Sequence, residues 1–141
     1  HYTFNLYDCS DMIRRATGHD IYKLLNLKST DSLYGVYAGW QQIGITQAPI
    51  KLGRSKNPVA IQRGRAQGGA DWWFGCYYLL ETNELTRTVE RALKRALHNQ
   101  RKAGTQRQTE LYKFGMPRAI SSIENILKKH NLPIDNILLR L

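Results

Sequence analysis

Cysteine is scarce in this chain, with two thiols, Cys9 and Cys76, in 141 residues. Two thiols give no disulfide framework, and without a Cys-x-x-Cys pair they offer no structural zinc site. Reduced thiols fit a cytoplasmic setting in a bacterial, phage or plasmid context, or a nuclear one in a eukaryotic cell. Long apolar runs are lacking as well. None approaches the roughly 18 residues that a membrane span needs, so no membrane partner is expected, and nothing in view resembles a signal peptide. Internal repeats and low-complexity tracts are absent. Acidic residues are few, 11 against 21 Lys and Arg, for a net charge of +10. A surplus of that size on a chain of one domain's length favours an anionic partner, and nucleic acid is the commonest large one. Hydrophobic residues still make up 42% of the chain, enough to build a packed core.

Pattern and punctuation divide the chain into short elements. Alternation in YTFNLY (2–7) predicts a strand or extended arm, and Ser10 is a candidate N-cap for a helix DMIRRATG that Gly18 would end. HDIYKLLNLK reads as a second short helix, with Ile21, Leu24 and Leu25 on one face. SLYGVYA is a strand, and Gly35 inside it signals a bulge or a close backbone approach. QIGIT is a candidate strand extension, IKLGRS the second strand, and Asn57-Pro58 a helix start leading into PVAIQRGRAQ. WWFGCYYLLE, nearly all apolar, suits a central third strand.

The clearest periodicity runs from Leu85 to His98. Leu85, Val89, Ala92, Leu93 and Ala96 share one stripe, and Arg87, Arg91 and Arg95 the opposite side. RKAGTQRQ is a basic loop, and TELYKF a short strand or docking segment. PRAISSIENILKKH is a closing helix with Ile120, Ile123 and Leu127 inward, broken by Pro133 before an apolar tail. The expected architecture is α+β: a three-stranded mixed or antiparallel sheet flanked by helices. Residues 32–115 form its core, 1–31 and 116–141 are extensions, and the whole makes one compact domain.

Five pieces, in this order, make up the constellation that carries chemistry. A G-x-Y motif (Gly35 to Tyr37) lies on the first strand, and a K-x-G motif (Lys51 to Gly53) on the second. An arginine-bearing helix, an aromatic strand and a helix with the isolated Glu90 follow. The ordered set resembles the GIY-YIG nuclease family over residues 33–114. It departs from the family at Lys51, which stands where the second motif has its tyrosine and so matches the lysine-carrying branch. The interval from Gly53 to Arg63 is also longer than the usual pattern, which leaves both Arg63 and Arg65 as candidates, with Arg63 preferred.

The resemblance implies metal-dependent hydrolysis of DNA, double-stranded in the first instance, with Tyr37, Lys51, Arg63 and Glu90 as catalytic residues. In that scheme Glu90 holds one divalent cation, Mg²⁺ or Mn²⁺. Tyr37 and Lys51 activate water, and Arg63 grips the phosphate. The residues are chemically suited to these roles. A lysine among cations sheds its proton more readily, and a guanidinium matches a phosphate bidentately. Lys51 and Gly53, two apart on a strand, point to the same face.

Gly53, Arg54, Arg65, Arg87, Arg91, Arg95, Arg101 and Lys102 are expected along the DNA backbone. Each residue also has an ordinary reading. Glu90 is spaced to pair with Lys94, Tyr37 is a good strand residue, and Lys51 suits an edge strand. His98 and His130 have no metal-ligand spacing, and of Trp72 and Trp73 at least one is expected in the core. A non-catalytic nucleic-acid-binding module, an RNA-directed nuclease and a homodimer are the alternatives the sequence leaves open.

Overall fold

A computed structural model describes residues 16–40, 50–65, 72–100, 111–135 and 137–140. The expected N-terminal strand, most of the Ser10-capped helix, QIGIT and the basic loop holding Arg101 and Lys102 lie outside them. In chain order the elements are α1 (Gly18–Leu25), β1 (Gly35–Trp40), β2 (Ile50–Ser55), α2 (Pro58–Arg65), β3 (Trp73–Leu79), α3 (Asn83–Ala96), β4 (Leu111–Tyr112), α4 (Met116–Lys129) and β5 (Ile137–Arg140). The fold is α+β, as expected.

Among the described residues the sheet has five strands rather than three, in the order β4-β2-β1-β3-β5 with every pairing antiparallel. TELYKF supplies β4, and the apolar tail beyond Pro133 supplies β5 on the outer edge of β3. Gly18 opens a helix instead of ending one. Thr17 caps α1 by accepting from the Asp20 N–H at 3.1 Å, while the Thr17 N–H donates to Asp20 Oδ2 at 2.8 Å. A Cβ on Gly18 would fall 2.5 Å from the Pro58 carbonyl oxygen, so glycine lets α1 lie directly against the start of α2.

Strand alternation sorts the side chains into two cores. Val36, Ala38, Ile50, Leu52, Cys76 and Tyr78 pack under Val89 and Leu93 of α3 and Ala119, Ile120, Ile123 and Leu127 of α4. Tyr37, Phe74, Tyr77 and Trp72 pack on the other face with Ile21 and Tyr22 of α1 and Val59 of α2. Phe74 and Cys76 are two apart yet face opposite ways, because Ala38 pairs with Cys76 and Gly39 with Phe74, leaving Gly75 as an extra residue in β3. One inserted residue flips the pleat. The bulge therefore sits in β3, while Gly35 provides a close approach: a Cβ there would meet the Tyr77 ring at 2.4 Å.

Candidate functional site

The two strand motifs are direct cross-strand neighbours. Tyr37 pairs with Gly53 and Gly39 with Lys51, so the Tyr37 and Lys51 side chains share one face of the sheet, the face covered by α1 and α2. Tyr37 is 1% exposed there, edge-on to Trp72 at 5.6 Å between ring centroids and to Phe74 at 5.5 Å. Lys51 is 7% exposed. On the same face burial raises the Tyr77 phenol above its ordinary value, and burial together with the Asp31 carboxylate raises that of Tyr22. Both hydroxyls donate to backbone, Tyr77 to Leu33 at 2.5 Å and Tyr22 to Asp31 at 2.6 Å.

Glu90 belongs to the other face. Helix α3 packs over Val36 and Ala38 through Val89 and Leu93, and Glu90 flanks that buried stripe. Its partner from the sheet is Arg54, which pairs in register with Val36 and so also points to the α3 side. Arg54 Nε lies 3.5 Å from Glu90 Oε1, and Lys94 Nζ lies 3.7 Å from the same oxygen. Arg54 Nη1 donates to Asn83 Oδ1 at 3.3 Å. The i,i+4 pairing with Lys94 that helical spacing predicts is therefore present, and Arg54 joins it. The four sequence-derived catalytic residues are not gathered into one site: Tyr37 and Lys51 lie across the sheet from Glu90.

Around Glu90 an open cleft of about 690 Å³ forms where β2 ends. Arg54, Ser55, Lys56 and Asn57 line it from the strand end and the following turn. Ala60 and Ile61 line it from α2, and Asn83, Arg87, Glu90 and Lys94 from α3. The α3 residues follow a 4-3-4 spacing, which places them in a single row along the helix. Thr82 fixes the start of that row, its hydroxyl accepting from the Leu85 N–H at 3.1 Å, and Asn57 caps α2 by accepting from the Ala60 N–H at 3.0 Å.

The remaining candidates are spread around this cleft. Arg87 lines it, while Arg91 and Arg95 are exposed on the adjoining side of α3. Arg63 is exposed on α2 and is not among the lining residues; Arg65 is half-buried further along that helix. Gly53 is buried in β2. Trp72 is core at 4% exposure, and His98 and His130 are exposed. Sequence reasoning did not single out Lys56, Asn57, Asn83 or Lys94 as cleft residues. The signal for the α3 pair was the polar row flanking the apolar stripe.

Among the described residues no group of three or more His, Cys, Asp or Glu could hold a metal ion. The donor set nonetheless fits a hydrated divalent cation, which takes one or two carboxylates and completes its shell with water and substrate phosphate. Among the described residues Glu90 makes its two ion pairs through Oε1, and Oε2 is the atom suited to that role. No helix among the described residues is long and apolar enough to cross a membrane. No protein-family model, curated protein or solved structure matches the chain.

Proposed function

We propose that this protein is a metal-dependent endonuclease that hydrolyses phosphodiester bonds of DNA at the cleft between α2 and α3. The observation that carries this reading is the make-up of the cleft: among the described residues that line it, a single carboxylate, Glu90, stands with four cationic side chains, Arg54, Lys56, Arg87 and Lys94. A groove meant only to hold a nucleic-acid backbone gains nothing from a carboxylate at its centre, which repels phosphate. A groove that must bring a cation to that phosphate needs one.

A divalent cation held there would neutralise charge at phosphorus and acidify a bound water. Glu90 would hold it, and Lys56, Arg87 and Lys94 would offset the charge that builds on the phosphoryl oxygens. The exposed Arg91 and Arg95 extend the cationic surface along α3 for the flanking backbone. Duplex DNA is the first substrate to test. Such an enzyme would act where DNA is, in a prokaryotic cytoplasm or a nucleus, and a palindromic cut would pair two copies.

The test is incubation of the purified protein with Mg²⁺ or Mn²⁺ on plasmid, linear duplex and RNA side by side. Cation-dependent DNA cleavage that chelator stops is the expected result. Intact DNA under every condition would overturn the reading.

A second reading, a nucleic-acid-binding module without catalysis, is favoured by one feature: Tyr37 and Lys51 face away from Glu90. It predicts salt-sensitive binding without cutting.

A further inference from the structure

We infer that Arg54, not Arg63, is the guanidinium that grips the phosphate in this cleft, and that Asn83 holds it ready. The inference rests on the cleft being a phosphodiester site. It concerns binding, so it can be tested apart from hydrolysis.

Arg54 stands next to the last residue of β2, and its register opposite Val36 turns the side chain toward α3. Two groups hold it from the helix side: Asn83 Oδ1 accepts from Nη1 at 3.3 Å, and Glu90 Oε1 forms an ion pair with Nε at 3.5 Å. The planar guanidinium carries further N–H donors on its other edge, and the side chain remains 37% exposed. A guanidinium already held in place loses less rotamer freedom when it binds a phosphate than a solvated one does. Its surroundings also call for an anion, since Lys56, Arg87 and Lys94 line the same cleft and repel one another when it is empty of negative charge beyond Glu90.

Arg63 has none of this support. It is exposed on α2 and does not line the cleft, although Ala60 and Ile61, one turn earlier, do. Lys56 and Arg87 do line it, but each is exposed, and neither side chain makes a hydrogen bond or ion pair with another described residue. Asn83 is a positioning residue in this account. Its side-chain oxygen orients the arginine, and its backbone carbonyl accepts from the Thr86 hydroxyl at 2.5 Å, which anchors the first turn of α3.

The experiment is a fluorescence-anisotropy titration of a short labelled DNA duplex in chelator, so that no cutting occurs, at several salt concentrations. Wild type, Arg54→Ala, Arg54→Lys, Asn83→Ala and Arg63→Ala are compared, with thermal melts to confirm folding. Arg54→Ala is expected to weaken binding by about tenfold or more. Arg54→Lys keeps the charge but loses the planar fork, so it should recover only part of the loss; it carries the test by itself if the alanine protein does not fold. Asn83→Ala should fall between wild type and Arg54→Ala, and Arg63→Ala should stay within about threefold of wild type.

Wild-type affinity in both Arg54 variants, or a loss in Arg63→Ala as large as in Arg54→Ala, would overturn the assignment. A protein that binds through Arg54 yet never cuts with Mg²⁺ would contradict the hydrolase reading and support this one.

Discussion

The two faces of the sheet are built from different materials. The α1/α2 face is aromatic, and Tyr37, Trp72, Phe74 and Tyr77 meet edge to face above glycines that leave room for their rings. Its polar groups serve the packing. Gln62 accepts from the Gly18 N–H at 2.6 Å and donates to the Trp72 carbonyl at 3.0 Å, tying α1, α2 and the start of β3 together. The α3/α4 face is largely aliphatic, and at its rim, where α3 overhangs the end of β2, Glu90 meets Arg54 and Lys94. A sequence motif lists residues by order, while the pleat decides which of them can meet. Tyr37 and Lys51 fall together because their strands pair in that register. Glu90 falls apart from them because α3 packs on the other side.

Truncation of an aromatic should break the contrast most sharply. Tyr37→Ala removes the centre of the aromatic cluster and is expected to cost about 3–5 kcal/mol, measured by urea unfolding. DNA affinity of the protein that remains folded should change little, because Arg54, Glu90 and Lys94 lie across the sheet. Gly39→Ala tests the same face by overpacking. Its new Cβ would lie 2.3 Å from the Trp72 ring and 2.7 Å from the Trp73 carbonyl oxygen, so a loss of about 1–3 kcal/mol is expected in the same assay. On the opposite face Thr82→Ala removes the α3 cap and should cost about 1 kcal/mol. It should also loosen the Asn83–Arg54 contact, seen as weaker DNA binding.

The smallest effect needs no mutation. Tyr22 and Tyr77 both have raised values in the folded protein, so below the ordinary phenol value of 10.0 they are protonated whether the chain is folded or not. As the pH climbs past that value the unfolded chain loses those protons first, and stability falls. Denaturation midpoints should be level up to the ordinary phenol value of 10.0 and decline above it, while the tyrosinate absorbance of the unfolding chain rises.

Much of the scaffold was legible because local signals agreed with the fold. The apolar stripe of α3 was visible as Val89 and Leu93, the inward face of α4 as Ile120, Ile123 and Leu127, and the start of α2 as Asn57-Pro58. The edge strands were not. LY in β4 is too short to show a period, and the tail forming β5 is apolar without alternation, so only pairing with β2 and β3 defines them. Gly18 misled because glycine ends helices more often than it begins them, and here close contact with α2 decided its place. The candidate site was legible as residue types and only partly as geometry. The pairing of G-x-Y with K-x-G could be expected from two adjacent strands, but the side on which α3 carries Glu90 is a tertiary choice. The weight placed on Arg63 came from spacing along the chain, which could not show that Arg54 reaches the carboxylate.

The most direct test of the central claim, that Glu90 in the α2–α3 cleft is the cation-holding carboxylate of a DNA hydrolase, is single-turnover cleavage by Glu90→Gln in Mg²⁺ against wild type. The substitution keeps the side chain's size and removes its charge. Cleavage should fall by about a hundredfold or more, while DNA binding in chelator is retained or tightened because Arg54 and Lys94 lose a competing anion. Cleavage by Glu90→Gln at the wild-type rate would contradict the account.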